Sequence, residues 1–422
     1  MFRMTSSRNQ NKSGRTHDVF SLVAEIDKVK EREGAENVAD AMLGVIRRDD
    51  GSFATIPTYE EVYRSLPARE LCDYATIAGL PEFQAAAVQS AFCGNIPAGA
   101  KTEVVATPGG SGAVYAAILN YVEFGEEYLG PEWYWGPYAT LGLEQDKKYV
   151  TYKMFDDNYE KFNFEAFKAK TLEMFEKQDS LLTIFNFPAN NPSGYNLSVE
   201  EWTKITDLYR EICKNPDKKV IVVWDWAYTD YAGTKEETRA FLHCFDNMPE
   251  NMLLLCAYSM SKSFLIYGMR SGALIAVSTS DDVIEDFAGN VCFTSRSTWS
   301  NGSRGAQRAL GIIYQNPELL AKVEAERMEL RDMLINRGKI FMKEAKEIGL
   351  ICLPHAAGFF ITVPCKECSQ AFRLLMKEEV YLLTAGEAGI RVAISSCPTK
   401  MVYGLAAKIK KCIDDNGFTQ EI

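Results

Sequence analysis

Between residues 103 and 277, short apolar runs alternate with longer stretches of mixed polarity. The runs at 103–106, 127–129, 149–152, 181–186, 220–225, 252–256 and 273–277 predict strands that are apolar on both faces. Strands of that kind, separated by helical stretches, predict an α/β fold with a mostly parallel sheet covered on both sides. Ligands of such sheets bind beyond the carboxyl ends of the strands. Most of the polar residues that stand out in this chain fall at those ends, which points to one shared crevice.

The flanking segments show other patterns. Residues 18–33 read as an arm leading into a helix, and 37–45 as an extended segment closing at Gly44. Helices are expected at 59–65 and from Pro81 to about Phe92, with Pro81 in the first turn. Beyond Pro317 the pattern is helical and charged. Leu319, Val323, Leu330 and Leu334 share one face, and Gly338 is expected as a kink or break. A strand at 358–363, a helix at 369–379, a strand at 390–394 and a last helix from 399 to about 414 complete a smaller α+β unit. The organisation expected is a disordered leader at 1–17, an arm and part of the small domain at 18–58, a large domain at 59–315 and a small C-terminal domain at 316–422. With no internal repeat or long linker, the two domains are expected to pack directly.

Composition narrows the function. At 422 residues and 47% apolar, the chain has material for a sizeable core, and its net charge of −11 argues against nucleic acid or an anionic membrane as partner. No apolar run approaches the ~20 residues that span a bilayer. The leader is polar and basic without the apolar centre of a secretory signal; a transit peptide is the alternative to disorder. The 11 cysteines show no framework spacing, so a reducing compartment is expected and the location reads as cytoplasmic. Cys365-Lys-Glu-Cys368 is a lone CxxC, and three histidines are too few for zinc hydrolysis or a His-based triad to be favoured, so no metal is expected.

The candidate chemistry centres on residues 257–274. Lys262 sits in a hydroxyl-bearing turn just after an apolar run, with Arg270 a little further on. Burial and a nearby cation both disfavour an ammonium, and only the neutral amine forms a Schiff base. A guanidinium beside Ser259 has the fork that suits a phosphate. Taken alone, these are equally a surface lysine and arginine in a Gly/Ser loop; their partners decide. Gly109, Gly110 and Ser111 form a Gly-rich turn between a strand and a helix, where free N–H groups attract an anion. Residues 185–194 place amides and prolines after another strand, either as a turn or around a ligand. Asp225 ends a strongly apolar strand, where a carboxylate must be paired; a pyridinium N–H is one such partner, and Tyr228 can reach a phenolate oxygen on the same ring. Residues 133–138 offer a flat aromatic face.

In order and spacing, these pieces resemble the class I aminotransferases, pyridoxal-phosphate enzymes of the aspartate aminotransferase type, over nearly the whole chain. The resemblance implies a large cofactor-binding domain of the fold type I transferases with a smaller α+β domain. It casts Lys262 as the lysine that holds the cofactor covalently and then moves a proton. Asp225 becomes the partner of the ring nitrogen and Tyr228 that of the ring hydroxyl. Ser259, Arg270, Gly110 and Ser111 become the phosphate cup. Tyr74 would reach the neighbouring subunit's phosphate, Trp135 would stack on the ring, and Asn191 would lie near both ring hydroxyl and substrate carboxylate. Arg391 resembles the arginine that forks the α-carboxylate, with Gly44 as the backbone donor opposite. Arg296 resembles the residue that grips a second, distal carboxylate from the other subunit, so a homodimer with shared active sites is implied.

The activity that the resemblance implies is that of an aminotransferase acting on an L-amino acid, aspartate or glutamate first, and on a 2-oxo acid such as 2-oxoglutarate, by ping-pong kinetics. An aromatic amino-acid donor is the alternative, because relatives swing the same arginine aside. A pyridoxal-phosphate β-lyase is the alternative of another class. A cofactor-sensing transcription factor would need a DNA-binding extension, and the basic leader is too short to fold as one. Three departures from the family pattern stand out: Gly109 where a serine is usual, Tyr138 where a histidine is common behind the aspartate, and Gly302 in place of a proline near Arg296.

Overall fold

The computed structural model of the protein describes residues 19–420 together with Met4, Ser6 and Asn9; apart from those three, the leader expected at 1–17 lies outside the described residues. After a two-residue strand, β1 (Ala39–Asp40), come β2 (Lys101–Thr107), β3 (Glu127–Pro131), β4 (Lys148–Tyr152), β5 (Ser180–Phe185), β6 (Lys219–Asp225), β7 (Met252–Ser259) and β8 (Gly272–Ser278). These last seven form one sheet in the order β2–β8–β7–β6–β5–β3–β4. The pairs are parallel except where β8 runs against β2 and β7.

The alternation of side chains along a strand explains the doubly apolar runs. On β6, Val220, Val222 and Trp224 face a core shared with Trp202 and Phe241, whereas Ile221 and Val223 face a second core with Ala113, Ala117 and Phe287. With both faces of the sheet covered, the site forms at the strand ends.

The C-terminal part adds β9 (Phe360–Pro364), β10 (Val380–Tyr381), β11 (Leu383–Ala385) and β12 (Gly389–Ala393). An antiparallel sheet in the order β11–β12–β9 sets Arg391 opposite Thr362. β1 pairs in parallel with β10, so the N-terminal segment joins the C-terminal unit. Among the described residues, no helix is long and apolar enough to cross a membrane, and no cluster of three or more His, Cys, Asp or Glu is placed to hold a metal.

Two local expectations are corrected. The helix Pro317–Glu347 runs through Gly338 without a break. A Cβ at that position would lie 2.6 Å from Cε1 of His355, so the glycine makes room for a packed ring. The last helix is divided into Thr399–Val402 and Leu405–Asn416, with Gly404 left-handed at φ 75° between them.

Candidate active site

A cavity of about 470 Å³ opens at the carboxyl ends of β5, β6 and β7, roofed by β12 and by the segment Leu43-Gly44-Val45. Gly110 and Ser111 line it from the turn after β2, Trp135 from beyond β3, and Asn186 and Asn191 from beyond β5. Asp225, Ala227 and Tyr228 come from the end of β6, and Ser259, Ser261 and Lys262 from the end of β7. Tyr267 and Arg270 belong to the loop before β8, Phe360 to β9 and Arg391 to β12. Helical and strand periodicity in distant segments has thus delivered one polar ring around one hollow.

Lys262 is the reactive group by its environment. Its ammonium loses hydration on burial and faces the Arg270 cation, which together push its pKa down to about 8 against the opposing pull of Asp225. Its Nζ lies 4.7 Å from the centroid of the Tyr267 ring. The Tyr267 hydroxyl in turn accepts the Ile46 N–H at 3.0 Å, tying the roof segment to the lysine's neighbour.

Asp225 is 6% exposed. Burial raises its pKa, and the donors on its oxygens only partly offset that: Tyr138 donates to Oδ2 at 2.5 Å and the Ala227 N–H to Oδ1 at 3.2 Å. Tyr138 therefore stands directly behind the carboxylate, in the place noted for a departure from the family pattern. Asn186 donates to the Asp225 carbonyl at 2.9 Å and accepts the Asn191 N–H at 2.7 Å, bridging two strand ends. The peptides preceding Pro188 and Pro192 are both cis. Asn191 Nδ2 donates to the Tyr228 hydroxyl at 3.1 Å, and its Oδ1 accepts from Arg391 Nη1 at 3.2 Å. Burial keeps the Tyr228 phenol neutral well above its ordinary range.

Arg391 stacks over Phe360, Cζ to ring centroid 4.3 Å, and donates from Nη2 to the Met42 carbonyl at 3.2 Å. Burial lowers its pKa to about 10, and its Nε is buried without a partner. A guanidinium left with an open donor in a closed space is prepared for a carboxylate.

The opposite end of the cavity is built for a dianion. The helix Gly109–Tyr121 starts with no side-chain cap, leaving its first N–H groups free. Arg270 is held by the Ser261 hydroxyl (3.1 Å), the Tyr267 carbonyl (2.9 Å) and the Pro108 carbonyl (3.4 Å). Gly109 is left-handed at φ 73°, and a Cβ on it would lie 2.9 Å from Arg270 Nη2. The left-handed backbone favours glycine there, and a serine would in addition crowd the end of the guanidinium. These donors, the buried carboxylate and the depressed lysine fit a pyridine ring that carries a phosphate, an aldehyde and a hydroxyl.

Two expected site residues are not brought to the cavity. Tyr74 is 80% exposed and is engaged through its backbone, its carbonyl accepting from Arg304 Nη1 at 3.0 Å and its N–H donating to Asp73 Oδ1 at 2.8 Å. Arg296 lies exposed in the last turn of the helix Asp281–Thr298 and donates to Ser300 Oγ at 2.9 Å. Conversely, Asn186, Ser261, Tyr267 and Phe360 line the hollow without having been singled out. Ser261 and Tyr267 lie inside the very stretch that carries Lys262 and Arg270, and Asn186 opens the amide- and proline-rich turn. For Phe360 no signal existed, since it is one apolar residue among many.

A cavity that pairs a buried neutral-prone lysine with an anion cup and an open guanidinium defines an enzyme of amino-group chemistry. The family model described as aminotransferase class I and II matches residues 49–409, and the chain belongs to that family. A solved aminotransferase from Anaerococcus prevotii DSM 20548 is 31% identical, with 97% of this chain and 98% of that one covered at a TM-score of 0.92. The aspartate aminotransferase of Salmonella typhi is 23% identical over 337 residues, 78% of this chain and 80% of its own. The aromatic-amino-acid aminotransferase of Paracoccus denitrificans is 28% identical over 281 residues, 64% of this chain and 68% of its own.

Proposed function

We propose that the protein is a pyridoxal-phosphate transaminase that moves the amino group of L-aspartate or L-glutamate to a 2-oxo acid such as 2-oxoglutarate. The observation that carries this reading is one cavity holding Lys262 at a pKa of about 8, Asp225 behind it and Arg391 with its Nε unpaired. Gly110, Ser111, Ser259 and Arg270 would hold the phosphate, Asp225 the ring nitrogen, Tyr228 and Asn191 the ring hydroxyl, and Trp135 the face of the ring. When bound, the cofactor supplies an aldehyde for the amino group and a ring that draws electrons from the substrate's α-carbon.

The protein's own groups do the rest. Arg391 forks the α-carboxylate, with the backbone at Gly44 opposite, and so orients the α-carbon toward Lys262. Neutral Lys262 Nζ takes the α-proton and gives it back on the other side of the transfer; burial and Arg270 are what make that amine available near neutral pH. Asp225 keeps a negative charge in the wall, supported by Tyr138 and the Ala227 N–H. Donor and acceptor use the same cavity in turn, which gives ping-pong kinetics.

Two copies of the chain would complete the site. The exposure of Tyr74 and Arg296 supports this, since each carries a group suited to an anion and neither serves its own cavity. In this reading Arg296 of one copy grips the distal carboxylate in the other. In the same reading 59–315 is the large domain, 316–422 the small one, and 18–58 an N-terminal arm and part of the small domain, which the pairing of β1 with β10 supports. All 11 cysteines are free thiols, which supports a cytoplasmic location. A second reading, an aromatic donor with 2-oxoglutarate, is favoured by the likeness to the Paracoccus enzyme. A donor panel of aspartate, tyrosine, phenylalanine and alanine with 2-oxoglutarate decides between them. Aspartate leading by kcat/KM supports the first reading; an aromatic donor leading replaces it with the second; no transamination sinks both.

A further inference from the structure

Behind the wall that carries Tyr228 and Lys262 lies a buried charge cluster that the chemistry above does not use. Asp230 belongs to the turn Thr229–Tyr231, two residues beyond Tyr228. Its Oδ1 accepts from Arg239 Nη2 at 3.2 Å and its Oδ2 from Arg327 Nη1 at 2.9 Å. The two arginines are 3% and 5% exposed. Arg239 is held from several sides, donating to the Ala91 carbonyl at 3.1 Å, the Ser90 carbonyl at 3.3 Å and the Thr238 hydroxyl at 2.6 Å. Arg327 reaches in from the long helix Pro317–Glu347, with Cζ 5.2 Å from the centroid of the Phe264 ring. Ser263 and Phe264 directly succeed Lys262, and the Ser263 hydroxyl is a further hydrogen-bond partner of the Asp230 carboxylate. Burial opposes the charge on Asp230, but Arg327, Arg239 and Ser263 outweigh it and hold its pKa below the usual carboxylate value. The neighbouring phenols of Tyr231, Tyr258 and Tyr314 are kept neutral by burial.

Two guanidinium groups against one carboxylate leave a net positive charge in the interior. Such clusters are poor stabilisers, because apolar residues of the same volume commonly do as well. The arrangement has a geometric consequence instead. Tyr228 stands on the loop after β6 and Lys262 on the turn after β7. Asp230 is shared between them: its backbone belongs to the first loop and its carboxylate engages the second through Ser263. Arg327, stacked on Phe264, contacts the same turn.

We infer that Asp230 is a positioning residue for the transamination: by bridging Arg239 and Arg327 beneath the two loops, it sets the placement of Lys262 relative to Tyr228. The inference rests on the transaminase reading of the cavity. A misplacement of about 1 Å at a reacting group costs about 10²-fold in rate, so a clamp of this kind acts on turnover more than on substrate affinity.

The test uses the full chain loaded with pyridoxal phosphate. Replacing both partners, Asp230→Asn with Arg327→Met, keeps the net buried charge unchanged. We expect this variant to melt cooperatively, with kcat lowered about tenfold or more and KM for the amino acid changed less than about threefold. The visible spectrum of the bound cofactor shifts, and a small acylating reagent labels Lys262 in the cofactor-free variant at a rate changed by about threefold, read by peptide mass spectrometry. A folded double variant that matches wild type in kcat, spectrum and labelling overturns the inference. Should the double variant fail to fold, Ser263→Ala decides, since it cuts only the link to the lysine turn. An unchanged melt with kcat down about threefold and a shifted spectrum supports the clamp, and wild-type values in all three overturn it. If wild type itself fails to transaminate any donor, the reading of the cavity falls and takes the clamp with it; if wild type is active and the variants match it, the clamp alone falls.

Discussion

The floor of the cavity and its outer rim differ in how completely one chain builds them. On the floor, Lys262, Asp225, Tyr228 and Arg391 come from three separate segments and line one hollow, with Asp225, Tyr228 and Arg391 each held by defined hydrogen-bond partners. On the rim, Tyr74 and Arg296 remain on the surface, one 80% exposed and the other bonded to Ser300. The floor carries what every transamination needs: an amine, a carboxylate behind the ring and a fork for the α-carboxylate. In the proposed reading the rim is what distinguishes one side chain from another. Reaction class would then be a property of the single fold, and substrate choice would depend on surface residues that a second copy brings to bear.

That contrast predicts that floor substitutions act on all donors alike and rim substitutions act selectively. Lys262→Ala has the largest expected effect, a loss of about 10⁵-fold or more in kcat with every donor, since among the described residues no other lysine lines the cavity to move the proton. Stopped-flow single turnovers check it, and a variant within about tenfold of wild type would break the assignment of the lysine. Arg391→Ala should lower kcat/KM about 10²-fold, near 3 kcal/mol, for aspartate and tyrosine equally, because the fork grips a group common to both. Tyr138→Phe removes the donor at 2.5 Å from Asp225 and so lets burial raise the pKa of that carboxylate further. We expect about a tenfold loss of kcat that deepens as pH falls, measured as a pH profile against wild type; a parallel profile would contradict the role given to Tyr138. Arg296→Ala, the smallest change, should cost about tenfold with aspartate and leave tyrosine and alanine within about twofold. An unchanged ratio would remove the distal clamp and favour the aromatic reading.

The sign of the lysine's titration sharpens the same contrast. Burial and Arg270 favour the neutral amine, so labelling of Lys262 in the cofactor-free protein should rise with pH through a midpoint near 8, below the ordinary lysine range. Arg270→Ala removes the larger of the two cationic causes, Arg391 being the other, and should move the midpoint upward. A midpoint near that of a free lysine in both proteins would show that the site does not activate its amine.

Much of this architecture is legible in the order of residues. The central strands of the large sheet appear as short apolar runs, because a strand buried on both faces has little room for polar side chains; the edge strand β4, only partly buried, is marked only by Tyr149, Val150 and Tyr152. The floor residues appear as polar interruptions at the ends of those runs, Asp225 after Val220–Trp224 above all. The strands β10 and β11 escape notice because two or three residues carry no period, whereas β1 falls inside the segment 37–45 read as extended. Gly338 misleads because a glycine that admits His355 looks the same in sequence as one that ends a helix. Phe360 and the cluster around Asp230 are legible only in space, since Phe360 meets Arg391 and Asp230 meets Arg327 across long intervals of chain.

The central claim is that one buried amine, at Lys262, makes and breaks the bond to the cofactor. Incubating the purified protein with pyridoxal phosphate, reducing with borohydride and sequencing the modified peptide by mass spectrometry tests it directly. The account predicts a visible absorption band before reduction and one stable adduct, on Lys262. A colourless protein, or an adduct on another lysine with Lys262 untouched, would contradict it.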